Sequence, residues 1–162
     1  MFLCETMSSV KQAEGALQGA EGHGRPVWLS VTVEDAEGSR LRSGEPVTAL
    51  APLIARYRPA ALLANCSVPE AMPAALAALR DFGLPFGAYA NGFTHISDAF
   101  KADAPTVDAL EHRHDLTPQV YADQAMGWVA MGATILGGCC EVGPAHITEL
   151  ARRLSAAGHR IT

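Results

Sequence analysis

The sequence lacks the features of a membrane-spanning, exported or nucleic-acid-binding protein. It has no run of about 18 or more apolar residues, so no transmembrane helix is expected. Met1 leads directly into Phe2-Leu3-Cys4, without the basic segment and longer apolar core of a signal peptide. The 12 lysine and arginine residues are scattered among 17 acidic ones, so no basic surface for nucleic acid is expected. These absences predict a cytoplasmic protein without a membrane or nucleic-acid partner.

Charged residues are also scarce, at 18% of the chain, and no segment is of low complexity. Hydrophobic residues make up 49% of the 162 positions, which is enough for a packed core. The length suits one domain of ordinary size. The composition therefore predicts a single globular domain over residues 1–162.

Strand-like and helix-like segments alternate along the chain. Apolar and β-branched stretches predict strands at residues 2–4, 27–33, 60–64, 86–90 and 134–136. Periodicity and composition predict helices at residues 9–20, 47–57, 69–81, from 117 onward and at 144–157. Strict alternation is typical of parallel strands joined by crossover helices. Five such units are too few to close an eight-unit barrel, so an open five-stranded sheet is an alternative.

The longest stretch without a clear element runs from Asn91 to Leu116 and is polar, with Asp98, Asp103 and Asp108. A loop of this length is usually functional or carries a small helix of its own. The helix that begins after it, at Thr117-Pro118, has an apolar face on which we expect the aromatic side chains to be buried in the core, namely Tyr121 and Trp128.

Polar and thiol side chains follow the predicted strands at their carboxyl ends, where parallel α/β folds gather their functional groups. These residues are Glu5, Asn65-Cys66, Asn91 and the pair Cys139-Cys140. The shared position predicts that all of them lie on one rim of the sheet.

Three thiols on one rim predict a zinc site. Three thiolate ligands and an open fourth position are typical of catalytic zinc. Neighbouring residues of a regular strand point to opposite faces, but the preceding Gly137-Gly138 allows a turn on which Cys139 and Cys140 both face the metal. Simpler interpretations stay open for other residues: Cys4 as a small core residue, Glu5 as a helix-capping acid, the two asparagines as turn residues, and His146 as a bystander beside the thiols.

Several motifs resemble those of the homocysteine S-methyltransferase family. The paired thiols in Gly137-Gly138-Cys139-Cys140, followed by Pro144-x-His146-Ile147, are similar to the family signature. The resemblance extends over nearly the whole chain, through Glu5-Thr6-Met7, Ser43-Gly44-Glu45, Asn65-Cys66 and Leu116-Thr117-Pro118-x-x-Tyr121-Ala122. One departure is Glu141-Val142-Gly143, where many members have Gly-Thr-Thr.

The resemblance implies a (β/α)8 barrel of which this chain carries strands four to eight. It implies a single homocysteine-binding domain, truncated at its N-terminal side. Cys66 would follow the sixth strand and Cys139 and Cys140 the eighth, together holding catalytic zinc. Glu5 would bind the amino group of homocysteine. Asn65 and Asn91 would also bind the substrate.

The implied reaction transfers a methyl group from a small-molecule donor to the thiol of homocysteine, giving methionine. The donor is left open among S-methylmethionine, S-adenosylmethionine, betaine and a folate or cobalamin carrier. One alternative is a non-catalytic zinc-binding remnant or interaction module of the same fold. Another is a flavodoxin-like domain with incidental cysteines. Five strands alone would leave exposed sheet edges, which predicts self-association.

Overall fold

The computed structural model describes residues 1–95 and 110–162. Its centre is one sheet of five strands that are parallel and lie side by side in chain order. The strands are β1 (Phe2–Met7), β2 (Val27–Val31), β3 (Ala61–Asn65), β4 (Phe86–Tyr89) and β5 (Ile135–Leu136). The predicted parallel α/β architecture is therefore confirmed.

Five helical segments alternate with the strands. They are α1 (Val10–Ala20), α2 (Ala51–Tyr57, preceded by a 3-10 turn at Val47–Leu50), α3 (Met72–Arg80, preceded by a 3-10 turn at Pro69–Ala71), α4 (Pro118–Ala130) and α5 (Pro144–Ala156). Side-chain caps explain two of the starts. Ser9 accepts a hydrogen bond from the Gln12 amide, and Thr117 accepts one from the Val120 amide, just before Pro118 at the first helical position.

The strand order decides between the two architectures that the sequence allowed. Right-handed crossovers between strands in sequential order place every helix on the same face of the sheet. One core cluster accordingly joins the helices to Leu29, Val31, Leu62, Ala64 and Ala88. A flavodoxin-like domain would reverse its strand order at one point and cover both faces. The fold is therefore a partial (β/α)8 barrel, not a flavodoxin-like sheet.

The opposite face of the sheet carries the alternate residues of each strand, and we call it the helix-free face. Its members include Glu5, Ser30, Asn65 and Tyr89. Hydrogen bonds join the strands across it, among them one from Ser30 to Asn65 at 2.7 Å and one from Tyr89 to Glu5 at 3.2 Å. This face is where polar side chains from different strands meet.

The predicted element boundaries are correct to within a few residues, with one difference that affects the site. β1 is longer than the predicted 2–4 and continues to Met7, so Glu5 lies inside the strand instead of after it. The functional prediction for the stretch from Asn91 to Leu116 falls largely on residues 96–109, which lie outside the described residues.

The two outer strands leave open sheet edges. Within residues 1–95 and 110–162, β1 pairs only with β2 and β5 only with β4. Phe2 and Leu3 at the β1 edge are 39% and 42% exposed. In the same part of the chain, no helix has the length and apolar character needed to cross a lipid bilayer.

Close approach of β4 and β5 requires glycine at position 87. A Cβ atom there would lie 1.7 Å from the carbonyl oxygen of Ile135. We expect Gly87→Ala to force the two strands apart and to lower the free energy of unfolding by about 1–3 kcal/mol, the usual cost of overpacking. Urea denaturation followed by circular dichroism measures this change.

Gly127→Ala in α4 is the matched control, because no atom outside its own turn lies within 4 Å of the added methyl group. Alanine favours a helix interior, so this variant should be more stable than the wild type by up to about 1 kcal/mol. Equal stability of the two variants would contradict the close approach of β4 and β5.

Candidate functional site

Three thiols converge at the carboxyl ends of β3 and β5. The sulfur of Cys66 lies 3.1 Å from that of Cys139 and 3.8 Å from that of Cys140, and the sulfurs of the adjacent pair are 3.8 Å apart. Among the described residues this is the only group of three or more metal-binding side chains that come together in this way. The structure thus brings together the three cysteines that the sequence singled out.

A left-handed backbone turn directs Cys66 toward the other thiols. The residue follows β3 directly and has φ of 54°, which L-amino acids with a side chain rarely adopt. Its amide donates to the Tyr89 carbonyl at 3.3 Å, and its own carbonyl accepts from Thr32 and Arg42. These contacts hold the strained conformation in place, as is usual at functional sites.

Arg42 is a partly buried cation beside this turn that the sequence pattern does not single out. Its guanidinium pairs with Asp35 at 3.0 Å, and the two side chains are 14% and 17% exposed. It also donates to the Ser67 hydroxyl at 3.2 Å. The Asp35 carboxylate in turn accepts from the amide of Val68. This network ties the loop after β2 to both sides of Cys66.

The paired thiols stand on a tight turn that glycine makes possible. A Cβ atom on Gly138 would lie 2.2 Å from the side chain of Val142, so only glycine fits there. The Cys139 amide donates to the Ala90 carbonyl at 2.9 Å, and the Cys140 carbonyl accepts from Gly92 at 2.8 Å. The turn is therefore anchored to the segment that follows β4.

The residue after the pair, Glu141, lies where the sequence departs from the resembled family. It has φ of 65° and contacts the His112 ring nitrogen Nδ1 at 2.9 Å. The Glu141–His112 contact is about half exposed on both sides, so we assign it little weight for stability.

The thiols influence one another's protonation. The hydrogen bond between Cys66 and Cys139 lowers the pKa of the Cys139 thiol to about 6 and raises the pKa of Cys66. Burial and the neighbouring charge on Cys139 also raise the pKa of Cys140. Without a metal, the contacts among the thiols therefore favour the thiolate form at Cys139 and the protonated form at Cys66 and Cys140. A bound cation would displace the remaining protons.

The donor set fits zinc in chemistry and in size. Tetrahedral zinc with zinc–sulfur bonds of about 2.3 Å separates its sulfur ligands by roughly 3.8 Å. Two of the three sulfur separations have this value, and the third, between Cys66 and Cys139, is shorter. Three cysteine ligands leave one coordination position for a substrate atom.

Cys4 lies apart from the cluster, on the helix side of the sheet. Its thiol donates to the Ala16 carbonyl of α1 at 3.7 Å, and burial raises its pKa. It packs against the main core. The interpretation of Cys4 as a small core residue agrees with this position.

Glu5 lies at a bulge in β1 and projects from the helix-free face. The β1–β2 register shifts between Cys4 and Met7, and Thr6 has φ of 63°. A bulge of this kind re-aims the side chain beside it. One carboxylate oxygen of Glu5 accepts the hydrogen bond from Tyr89. Burial raises the pKa of the Tyr89 hydroxyl, so the hydroxyl remains a donor at neutral pH.

Asn65 holds the bulge from the neighbouring strands. It is fully buried, and its Oδ1 accepts from the Thr6 amide at 3.0 Å and from the Ser30 hydroxyl at 2.7 Å. Its Nδ2 donates to the Thr6 hydroxyl at 2.8 Å. The same amide also contributes to the low pKa of Cys139. Asn65 therefore links the Glu5 segment to the thiols.

Asn91, just after β4, is buried, and His146, in the first turn of α5, is partly buried. Oδ1 of Asn91 accepts from the Phe93 amide, while Nδ2 is buried and has no hydrogen-bond partner among the described residues. The His146 ring donates from Nε2 to the Leu116 carbonyl at 2.9 Å, and its Nδ1 has no hydrogen-bond partner among the described residues. Substrate binding by Asn91 remains a prediction.

Comparison with protein families and known relatives gives consistent matches. The family model described as Homocysteine S-methyltransferase matches residues 1–154. A curated relative, the homocysteine S-methyltransferase of Escherichia coli strain K12, is 31% identical over 156 residues, which are 94% of this chain and 47% of that protein.

Solved structures agree with this match. The crystal structure of the homocysteine methyltransferase MmuM from Escherichia coli in its apo form has a TM-score of 0.68 and 28% identity, over 93% of this chain and 48% of that chain. The metallated form of the same protein has a TM-score of 0.69 and 27% identity, over 93% of this chain and 44% of that chain. The chain thus spans about half the length of the relatives that it matches.

Proposed function

Because the chain belongs to the homocysteine S-methyltransferase family, we propose that it binds zinc through Cys66, Cys139 and Cys140 and takes part in methyl transfer to homocysteine. The observation that carries this proposal is the convergence of three thiol sulfurs from two separate strand ends. A relative that was solved in a metallated form supports the choice of a metal site.

In this proposal, residues 1–162 form one homocysteine-binding domain that corresponds to strands four to eight of the family barrel. When bound, zinc would lower the pKa of the substrate thiol and keep it as a nucleophilic thiolate. The thiol proton passes to solvent, the sulfur attacks the methyl carbon of the donor, and the bond from that methyl group to the donor breaks. Methionine and the demethylated donor are the products.

The chain's own residues position the substrate. Glu5 is the proposed partner of the homocysteine ammonium, through a charge-assisted hydrogen bond. Tyr89 donates a hydrogen bond to one oxygen of the Glu5 carboxylate and so fixes the orientation of the carboxylate. The other oxygen is left for the substrate. Asn65 binds Thr6 and so stabilises the bulge in β1. This bulge sets the height of Glu5 above the sheet. Asn91 remains a proposed substrate contact, with its Nδ2 as the donor.

Zinc content tests the metal site. We expect about one zinc per chain in the wild type and loss of most of it in Cys66→Ser, Cys139→Ser and Cys140→Ser, because each removes one of three thiolate ligands. Elemental analysis by mass spectrometry measures the ratio. Cys4→Ser is the matched control and should retain its zinc. Full retention in the Cys140 variant would contradict the three-thiolate site.

Homocysteine affinity tests the role of Glu5. Glu5→Gln removes the negative charge without changing the shape, so we expect homocysteine to bind roughly ten-fold or more weakly while zinc stays in place. Titration calorimetry with the zinc-loaded protein measures the affinity. Glu14→Gln on α1 is the control for loss of one surface charge. Unchanged affinity in the Glu5 variant would leave that residue a structural role only.

A second candidate function is a zinc-binding interaction module without activity of its own, and the open edges of β1 and β5 favour it. Unpaired parallel strands with apolar residues such as Phe2 and Leu3 invite pairing with another chain.

We expect the isolated chain to self-associate and to show little methyl transfer. Light scattering and a methionine assay with several methyl donors measure these properties. A stable monomer with full turnover would rule out the interaction module.

A further inference from the structure

The hydroxyl of Tyr121 is inserted into the hydrogen-bond ladder between β4 and β5. The amide of Gly137 donates to the Ala88 carbonyl at 3.3 Å, and that of Cys139 donates to the Ala90 carbonyl at 2.9 Å. A regular parallel ladder has one more bond between these two, from the Ala90 amide to the Gly137 carbonyl. Here the Ala90 amide donates to the Tyr121 hydroxyl at 3.1 Å, and that hydroxyl donates to the Gly137 carbonyl at 2.7 Å.

The ring that carries this hydroxyl has no room to move. Tyr121 is fully buried and packs edge-on against Trp128 and His146, with ring centroids 5.8 and 5.9 Å away. His146 is itself held by its bond to the Leu116 carbonyl. Burial also raises the pKa of Tyr121, so its proton is retained for the bond to Gly137.

The inserted hydroxyl lies where the spacing of the strands determines the geometry of the thiols. Immediately after Gly137 the chain leaves the sheet toward Cys139. On the side away from β5, β4 accepts a hydrogen bond from the Cys66 amide through the Tyr89 carbonyl. The end of β4 and the adjoining Ala90 are thus the common support of both thiols, and the opening between Ala90 and Gly137 sets where Cys139 stands relative to Cys66.

A purely structural role does not require a hydroxyl at this position. Phenylalanine would fill the same core volume, and the Ala90 amide and Gly137 carbonyl could then bond directly, as in a regular ladder. What the hydroxyl adds is a local opening between the Ala90 amide and the Gly137 carbonyl, while the ladder bonds on either side of it, at 3.3 and 2.9 Å, remain direct.

We propose that Tyr121 is a positioning residue of the metal centre, because its hydroxyl holds the Ala90 amide and the Gly137 carbonyl apart and so places Cys139 relative to Cys66. This inference rests on the proposed function insofar as the thiols bind a metal. In Tyr121→Phe the ladder closes, Cys139 shifts, and the three sulfurs no longer match a tetrahedral cation.

The experiment compares wild type and Tyr121→Phe in three measurements. The first is Co²⁺ affinity by titration, where we expect the variant to bind roughly ten-fold or more weakly, as for other residues that orient metal ligands. The second is the visible spectrum of the Co²⁺ protein, whose d–d bands should shift with the altered geometry. The third needs no metal: the rate at which oxidised glutathione converts Cys66 and Cys139 to a disulfide should change.

Four further variants separate positioning from stability. Tyr57→Phe makes the same chemical change on α2, away from the thiols, and should leave all three measurements as in the wild type. Leu79→Ala removes a buried side chain from α3 and should lower the melting temperature without altering the Co²⁺ spectrum. With 4-aminophenylalanine at position 121, the amino group again supplies a hydrogen-bond donor and an acceptor. All three measurements should therefore return to their wild-type values. With 4-fluorophenylalanine, the volume returns without a donor, which provides a folded variant if Tyr121→Phe does not fold.

The outcomes distinguish the two proposals. If the wild type binds neither Co²⁺ nor Zn²⁺, the proposed function fails, and the disulfide rate alone decides the role of Tyr121. If the wild type binds Co²⁺ and the Tyr121 variants bind it equally well with the same spectrum, the positioning role is overturned. An unchanged disulfide rate in the metal-free variants overturns it as well.

Discussion

A short hydrogen-bond ladder at the carboxyl ends of β3, β4 and β5 holds the site together. It runs from the amide of Cys66 to the carbonyl of Tyr89, and then from the amide of Cys139 to the carbonyl of Ala90. The bond from Gly92 to the Cys140 carbonyl continues it beyond the sheet. Backbone bonds fix these distances more tightly than side-chain packing does. Thiols that are more than 70 residues apart in the chain therefore meet within 4 Å.

Around this ladder, buried and partly buried polar groups connect the Glu5 segment to the thiols. Asn65 spans β1, β2 and β3 with three hydrogen bonds and also contributes to the low pKa of Cys139. Arg42 and Asp35 support the opposite flank of Cys66. Buried networks of this kind stabilise only when every member has a partner. A change at one strand end is therefore transmitted to the others.

Much of the fold and of the site could be predicted from the sequence. The strands stand out because buried parallel strands are short and apolar, as at Ala61–Asn65, and helix starts such as Thr117-Pro118 carry their own cap. The rim position of the three cysteines follows from topology alone, since parallel strands end on one side, whereas Glu5 lies inside β1. The sequence also predicted that the Gly137-Gly138 segment would allow both thiols of the pair to face one point.

The remaining features depend on contacts between residues far apart in the chain. Nothing local to Arg42 indicates that it lies against the carbonyl of Cys66, because a polar loop residue is usually exposed. The sequence pattern indicates that Tyr121 is an ordinary core residue. The one feature that could have indicated a polar contact is its hydroxyl on an otherwise apolar helix face. The bulge beside Glu5 depends on Asn65, which lies 59 residues beyond Thr6. Local sequence patterns carry no information about such pairs.

The left-handed backbone of Cys66 also bears on how relatives of this chain would diverge. Asparagine and glycine tolerate this conformation best, whereas β-branched residues resist it strongly. A relative without the paired thiols would still have to turn its chain at this point. Drift at position 66 should therefore favour glycine or asparagine over serine or alanine, although serine is the closer substitute for a thiol. A survey of family members without the paired thiols would show whether backbone preference or chemical similarity governs that position.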